Sequence, residues 1–275
     1  VPEIEMPFHA GAEIVAYPEL GIAPDRLASL EPQKRWRETS GLVAPRPQTV
    51  IFFQDVLTEV MELFPSRHIH IGGDEANIEL WTNDPEMQAQ MKRLQLKDAH
   101  GLHSWFIAHM DAFLSSHGRR LVGWDEILQG GLAPGATVMS WRGEQGGIAA
   151  ANAGHDVVMA PTSHTYFDYY QGPAASEPLA IGGNLPLAQV YSYDPVPEAI
   201  APDRVRHVLG VQGQLWGEFI ATPAHRYYMA YPRAAALAEI GWSAKETKDY
   251  EQFVSRLRHH LERLRVLGVT FRPLD

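Results

Sequence analysis

The chain has no cysteine in its 275 residues, which excludes disulfides, thiolate metal centres and a cysteine nucleophile without fixing the compartment. It has no basic surplus either: Lys+Arg number 23 against Asp+Glu 33, a net charge of -10. The basic residues are scattered, so no nucleic-acid surface is expected. No apolar run approaches the roughly 20 residues of a membrane span, and the opening VPEIEMPFHA lacks the basic and apolar regions of a signal peptide. Any export signal is therefore expected upstream of residue 1. No internal repeat or low-complexity segment is visible. What is present is ordinary for a globular protein, 45% hydrophobic and 20% charged residues, enough to bury one sizeable core.

Short apolar runs bounded by turn residues predict strands over residues 1–6, 67–71, 120–124, 137–141, 156–160 and 205–211. Helical spacing occupies residues 49–64, 102–117 and 145–153, and after the last strand 224–240 and 250–267. Strands alternating with helices imply parallel βα units, in an open sheet or a closed barrel. Almost every strand ends in polar or aromatic side chains: Glu5 and His9, Asp74 and Glu75, Trp124-Asp125-Glu126, Trp141-Arg142, Tyr166-Phe167-Asp168, and Trp216-Gly217-Glu218. An open sheet gathers its ligand contacts at one switch point, whereas a (β/α)8 TIM barrel spreads them around a ring. The expected fold is therefore an α/β TIM barrel, with residues 1–275 as one catalytic domain. The strand count falls short of eight and the chain opens inside a strand, so the first two βα units are expected to be absent. The chain would then be the C-terminal piece of a longer polypeptide carrying strands three to eight. Bare strand edges are avoided in soluble proteins, so an upstream segment or a companion chain is expected to complete the barrel. Residues 17–47 and 177–197 read as long loops of the kind that is often functional, with Trp36 pinning the first or lining a cleft.

The stretch His68-Ile69-His70-Ile71-Gly72-Gly73-Asp74-Glu75-Ala76 sets two carboxylates side by side after two glycines. In a plain strand the two acids would point apart, but glycine permits a kink that aims both at one cavity. Crowded carboxylates push one pKa upward, which supplies an acid beside an anion. Carboxylates that act as acid and nucleophile stand roughly 5 to 5.5 Å apart, and an inverting pair roughly 6.5 to 9.5 Å. Sequence neighbours do not suit that span, so if the chain is a glycosidase the second carboxylate is not the nucleophile, and the substrate could supply its own, the oxygen of a 2-acetamido group. The competing reading is a βα turn in which Asp74 caps the next helix. Trp124, Trp141 and Trp216, each at a strand end, favour the cavity, since aromatic faces suit the CH faces of a sugar. His68 and His70 share a strand face, as zinc ligation in a metal-dependent barrel hydrolase would require. Further ligands are lacking at the neighbouring strand ends, and an interior role with hydrogen-bond partners is expected instead. A sugar-binding barrel without turnover is a further alternative. Glu126 is read as a cap of the helix after its strand, and Asp125 as orienting a neighbour or contacting substrate. Arg233 and Glu239 are placed on a solvated helix face, and Met87 and Met91 in the core.

The motifs HIGGDE, VPEIEMPFHA, GWDEI, SWRG, YFDYY and LWGEF, in this order along nearly the whole chain, resemble glycoside hydrolase family 20, the β-N-acetylhexosaminidases. That family is itself a recognised substrate-assisted exception among retaining enzymes. The resemblance implies Glu75 as general acid and then base, with Asp74 holding the acetamido nitrogen and stabilising an oxazolinium intermediate. Tyr166 would donate to the acetamido oxygen, and Trp124, Trp141 and Trp216 would wall the acetamido pocket. Asp168 and Glu218 would bind the hydroxyls on carbons 4 and 6, and His9 would support Glu75. It further implies no metal and no cofactor, substrates ending in N-acetylhexosamine, and a periplasmic or secreted setting. Glu5 and Phe8 depart from the family pattern Asp-x-Pro-Gly-His, and the family's sugar-binding arginine belongs to a strand this chain does not contain.

Overall fold

The computed structural model describes residues 1–31 and 41–274, so Trp36 lies outside the described residues. Six strands form: β1 (Glu3–Met6), β2 (His68–Gly72), β3 (Arg120–Trp124), β4 (Thr137–Ser140), β5 (Val157–Met159) and β6 (Val208–Val211). All fall where the apolar runs predict them. Their order in the sheet is that of the chain, with parallel pairing that sets Glu3 beside His70, His68 beside Arg120, Val122 beside Thr137, and Val157 beside Val208. Residues of β4 are all buried, as expected of parallel strands covered on both faces.

The chain divides into two compact units, Val1–Met139 and Ser140–Asp275. In the first, the helix Pro47–Leu63 buries Val50, Phe53, Leu57, Val60 and Met61 along one stripe, the spacing that carries an amphipathic helix onto a core. Its Phe53 meets Phe106 of the helix Ala99–Ser116 edge to face at 6.0 Å. Between β2 and that second helix lie Ile78–Asn83 and Pro85–Arg93, which periodicity does not reveal. They are short, and each is set by a local cap: Asn77 accepts from Glu79 N at 3.3 Å and Asp84 from Met87 N at 2.9 Å. Met87 is fully buried and Met91 packs against the same cluster, the core role expected of them. Residues 17–47 are not simply a loop: they hold the short helix Pro24–Ala28 and the buried run Leu42, Val43 and Ala44, whose Val43 carbonyl accepts from Trp81 Nε1 at 2.9 Å.

In the second unit the helix Gln145–Ala153 ends at Gly154, whose φ of 91° supplies a left-handed cap. The helix expected over 224–240 is two, Pro223–Ala230 and Arg233–Trp242. Pro232 has no N–H to continue the first helix and disfavours helical backbone at Tyr231. The expected loop 177–197 contains the helix Leu187–Ser192. The helix Tyr250–Val266 starts at an Asp249 cap and buries Phe253, Leu257, Leu261 and Leu264. No helix among the described residues is long and apolar enough to cross a membrane.

Candidate active site

Backbone geometry at the end of β2 brings the adjacent acids together. Gly72 and Gly73 have φ of 70° and 91°, and Glu75 itself has φ of 51°, so the alternation of an extended strand is broken. As a result Asp74 Oδ2 and Glu75 Oε2 lie 3.5 Å and 3.3 Å from one atom, His9 Nε2. Asp74 turns inward, with its side chain 14% exposed, while Glu75 at 52% faces solvent. Asp74 is not a helix cap, since Asn77 caps the helix that follows. Glycine at position 72 is required for a second reason. A Cβ there would sit 2.7 Å from Glu5 Oε1 and nearer still to Oε2, so the Glu5 carboxyl occupies the space a side chain would take.

His9 comes from the turn after β1, with φ of 56°. Phe8, the bulky residue in the family's glycine position, is buried beside Leu42, Trp81 and Leu102, with its ring centroid 4.4 Å from that of His9. It anchors the turn that presents the histidine. Burial opposes a charge on His9, but hydrogen bonds to Asp74 and Glu75 and their charges raise its pKa to about 9. His9 is therefore an imidazolium at neutral pH, and its hydrogen bond holds the Glu75 carboxyl below the usual carboxylate range. For Glu75 the crowding expected to raise a carboxyl is overcome, because the neighbouring imidazolium favours its charged form.

The raised carboxyl is Glu5, pushed far above the carboxylate range by burial and by the charges of Asp74 and Glu3. Burial also disfavours a charge on Glu3, yet His70 Nδ1 at 2.9 Å and Trp124 Nε1 at 3.0 Å keep it ionised. Trp124 is buried and stands edge-on to His70, with ring centroids 4.9 Å apart. His70 thus has the interior, hydrogen-bonded role expected for it rather than a place in a zinc pair with His68. His103, which no sequence signal marks, is buried and donates from Nε2 to Gly73 O at 3.0 Å. Burial pulls it down to about 4 despite that bond, so a neutral imidazole steadies the loop. Asp125 and Glu126 are buried in a 3-10 turn, Asp125–Leu128, with no side-chain cap bond at its start; the helix-capping role read for Glu126 is not found. Among the described residues, His9, Asp74 and Glu75 are the set whose donor atoms, all within 4.8 Å of one another, are close enough to share a cation. The protonated His9 already supplies that positive charge. A separate cleft of about 630 Å³ beside Lys97, His100 and Gln129 contains none of the residues singled out from the sequence.

In the second unit Trp141 follows β4 and stacks on Tyr166, with centroids 6.3 Å apart and planes at 26°. Tyr166 is buried and bridges to Gln214, and Phe167 N donates to Gln214 O at 2.8 Å. Asp168 is buried, and burial lifts its pKa to about 6, with the charge of Glu218 adding to the rise and that of Arg233 opposing it. Trp216 is half-buried and Glu218 exposed in the segment after β6. Arg233, expected on a solvated face, is fully buried. Its guanidinium donates to the carbonyls of Tyr169 at 3.0 Å, Leu185 at 3.1 Å, Phe167 at 2.6 Å and Met229 at 2.7 Å. The residues that fix the Tyr166-Phe167-Asp168 segment are thus partly on a distant helix. Glu239 is half-buried, accepting from Tyr191 Oη at 2.9 Å and from Arg256 Nη2 at 2.6 Å.

The family model described as glycosyl hydrolase family 20, catalytic domain, matches residues 1–245. A β-hexosaminidase of Porphyromonas gingivalis is 46% identical over 273 residues, covering 98% of this chain and 35% of that protein. A β-hexosaminidase of Vibrio furnissii is 36% identical over 249 residues, covering 89% of this chain and 40% of that protein. The chain thus spans well under half the length of these relatives. Among solved structures, the GH20 exo-β-N-acetylglucosaminidase from Vibrio harveyi in complex with N-acetylglucosamine aligns with a TM-score of 0.84 and 32% identity, over 99% of this chain and 43% of that one. Such neighbours are TIM barrels, and they show the fold class expected from the strand-end side chains, here as part of a catalytic domain.

Proposed function

The chain belongs to glycosyl hydrolase family 20, and from that premise we propose that it removes terminal β-linked N-acetylglucosamine or N-acetylgalactosamine from oligosaccharides or glycoconjugates. The reaction retains configuration and passes through an oxazolinium intermediate formed by the substrate's acetamido oxygen. The observation that carries this reading is the convergence of Asp74 Oδ2 and Glu75 Oε2 on one His9 nitrogen, at 3.5 Å and 3.3 Å. Carboxyls side by side do not flank a scissile bond from opposite faces, as an acid and an enzyme nucleophile must at roughly 5 to 5.5 Å. The attacking atom then comes from the sugar itself, and a well-oriented internal nucleophile reaches effective molarities of about 10⁵ to 10⁸ M.

Glu75 is the general acid and later the base. In the open site it is ionised, but a bound sugar covers its half-exposed carboxyl, removes water and raises its pKa. The His9 imidazolium, 3.3 Å away, is placed to pass it a proton. Asp74 holds the acetamido N–H and offsets the positive charge that grows on the ring being closed. Tyr166 donates to the acetamido oxygen, and Trp124, Trp141 and Trp216 wall the N-acetyl arm. Asp168 and Glu218 accept from the hydroxyls on carbons 4 and 6. No step needs a metal or an organic cofactor.

The test is release of nitrophenol from a nitrophenyl N-acetyl-β-glucosaminide, together with binding of a thiazoline mimic of the intermediate. Glu75→Gln should cut turnover by about 10²- to 10⁴-fold, the usual contribution of a positioned general acid. Tight binding without release, under conditions where a control hexosaminidase works, would replace the enzyme reading with a sugar-binding one.

A further inference from the structure

A chain of carboxyls leads to the acid pair: Glu3, Glu5 and then Asp74, its buried member. The two ends are each held by a nitrogen. Glu3 Oε1 lies 2.9 Å from His70 Nδ1 and accepts from Trp124 Nε1 at 3.0 Å, and Asp74 Oδ2 faces His9 Nε2 at 3.5 Å. Glu5 lies between them, against the bare Cα of Gly72. Glu5 Oε2 and Asp74 Oδ1 are both buried, and neither has an N–H or O–H donor among the described residues. Glu5 is within hydrogen-bond reach of both of its neighbours, Glu3 and Asp74. Two acceptors bond only when one of them carries a proton, and a single proton would satisfy both orphaned oxygens at once.

We propose that Glu5 is a positioning residue that is protonated in the resting protein and donates its hydroxyl to Asp74 Oδ1. The groups around it select Glu5 for the proton. His70 and Trp124 keep Glu3 charged, the His9 ring nitrogen faces Asp74 Oδ2, and among the described residues no donor reaches Glu5 Oε2. Burial and the flanking charges of Asp74 and Glu3 act in the same direction. The bond goes to Asp74 rather than Glu3 because it is Asp74 that has the unsatisfied oxygen. Asp74 is then gripped on both oxygens, by a neutral acid at Oδ1 and by the imidazolium at Oδ2, and has one rotamer from which to meet the acetamido group. A charged Glu5 would instead push the Asp74 carboxylate away. The longer acid in place of the family's aspartate is what fills the Gly72 recess. Its consequence for turnover rests on the role given to Asp74 above.

Two variants and one spectrum test this. Glu5→Gln keeps a donor and cannot ionise, whereas Glu5→Met has similar bulk and no donor. The glutamine variant should keep kcat within about threefold, while the methionine variant should lose about 10²-fold in kcat with little change in KM, as expected when a reacting group is misplaced. At mildly alkaline pH, where ordinary carboxyls are ionised, the infrared spectrum of the wild-type protein should keep a protonated-carboxyl band that vanishes in Glu5→Gln. Absence of the band in the wild type, its persistence in Glu5→Gln, or a glutamine variant as slow as the methionine one would overturn the assignment. If the wild type has no hexosaminidase turnover, the functional reading fails by itself, and the infrared band still decides the state of Glu5.

Discussion

Replacing Arg233 by methionine removes a side chain that is fully buried yet acts almost entirely on backbone. Its two terminal nitrogens donate to the carbonyls of Tyr169, Leu185, Phe167 and Met229, and its carbon lies 5.1 Å over the Phe167 ring. Many buried ion pairs can be exchanged for apolar residues at no loss, because both partners leave together. Here the acceptors are peptide oxygens and cannot leave. Each one stranded in the interior costs about 1–3 kcal/mol. Some relief from entering water and from the desolvation no longer needed for the cation brings the expected loss to about 3–5 kcal/mol, the range seen when one partner of a buried charged contact is removed. Against a total stability of about 5–15 kcal/mol that is a large fraction, and it should lower Tm on the order of 10 °C. Arg233→Lys keeps the charge on one atom with three donors and no planar fork, so it should recover less than half of the loss. Calorimetric or fluorescence-monitored melting of the three proteins measures this. A methionine variant melting within about 2 °C of the wild type, less than the shift of a single kcal/mol, would refute the reasoning.

Two further outcomes follow from the cluster around Asp74. The pKa of His9 rises from 6.5 to about 9 on folding, so the folded state binds the extra proton. This contribution to stability is complete below the lower value and is lost as pH rises through the higher one. Denaturant midpoints across that window should fall more steeply for the wild type than for His9→Asn, and parallel profiles would contradict the charged imidazole. Gly72→Ala and Gly118→Ala start from the same φ of 70°, but a Cβ at Gly118 meets nothing within 4 Å whereas one at Gly72 strikes Glu5. Both should lose about 1–2 kcal/mol for a left-handed residue with a side chain, and only Gly72→Ala should lose clearly more, together with turnover. Equal losses in denaturant titrations would mean that Glu5 is not packed there.

Where local chemistry governs, the sequence is a good guide. Strand β3 and the helix Gln145–Ala153 have the limits expected of them, the helix because Gly154 ends it with a conformation few other residues adopt. The adjacency of Asp74 and Glu75 and the glycines before them were readable for the same reason. The short helices before residue 94 escaped because two turns each give too few apolar repeats to show a period. Pro232 was visible but its effect was outweighed by the apolar spacing on either side. Arg233 and Glu5 mark the real limit. The four carbonyls around Arg233 come from three stretches of chain, and the proton on Glu5 depends on burial and on a neighbour, Asp74, that follows another strand. Neither can be inferred from a residue and its flanks. The departure at Glu5 was itself legible as an unusual letter, but not as a group that pairs with Asp74.

Asn77 ties off the helix Ile78–Asn83 with its own side chain, so the start of that helix does not draw on Asp74. The junction is therefore modular. The cap can be exchanged or the helix lengthened to remould the rim of a binding cleft without calling on Asp74, so long as Trp81, Leu102 and His103 stay to hold Phe8 and the Gly73 carbonyl.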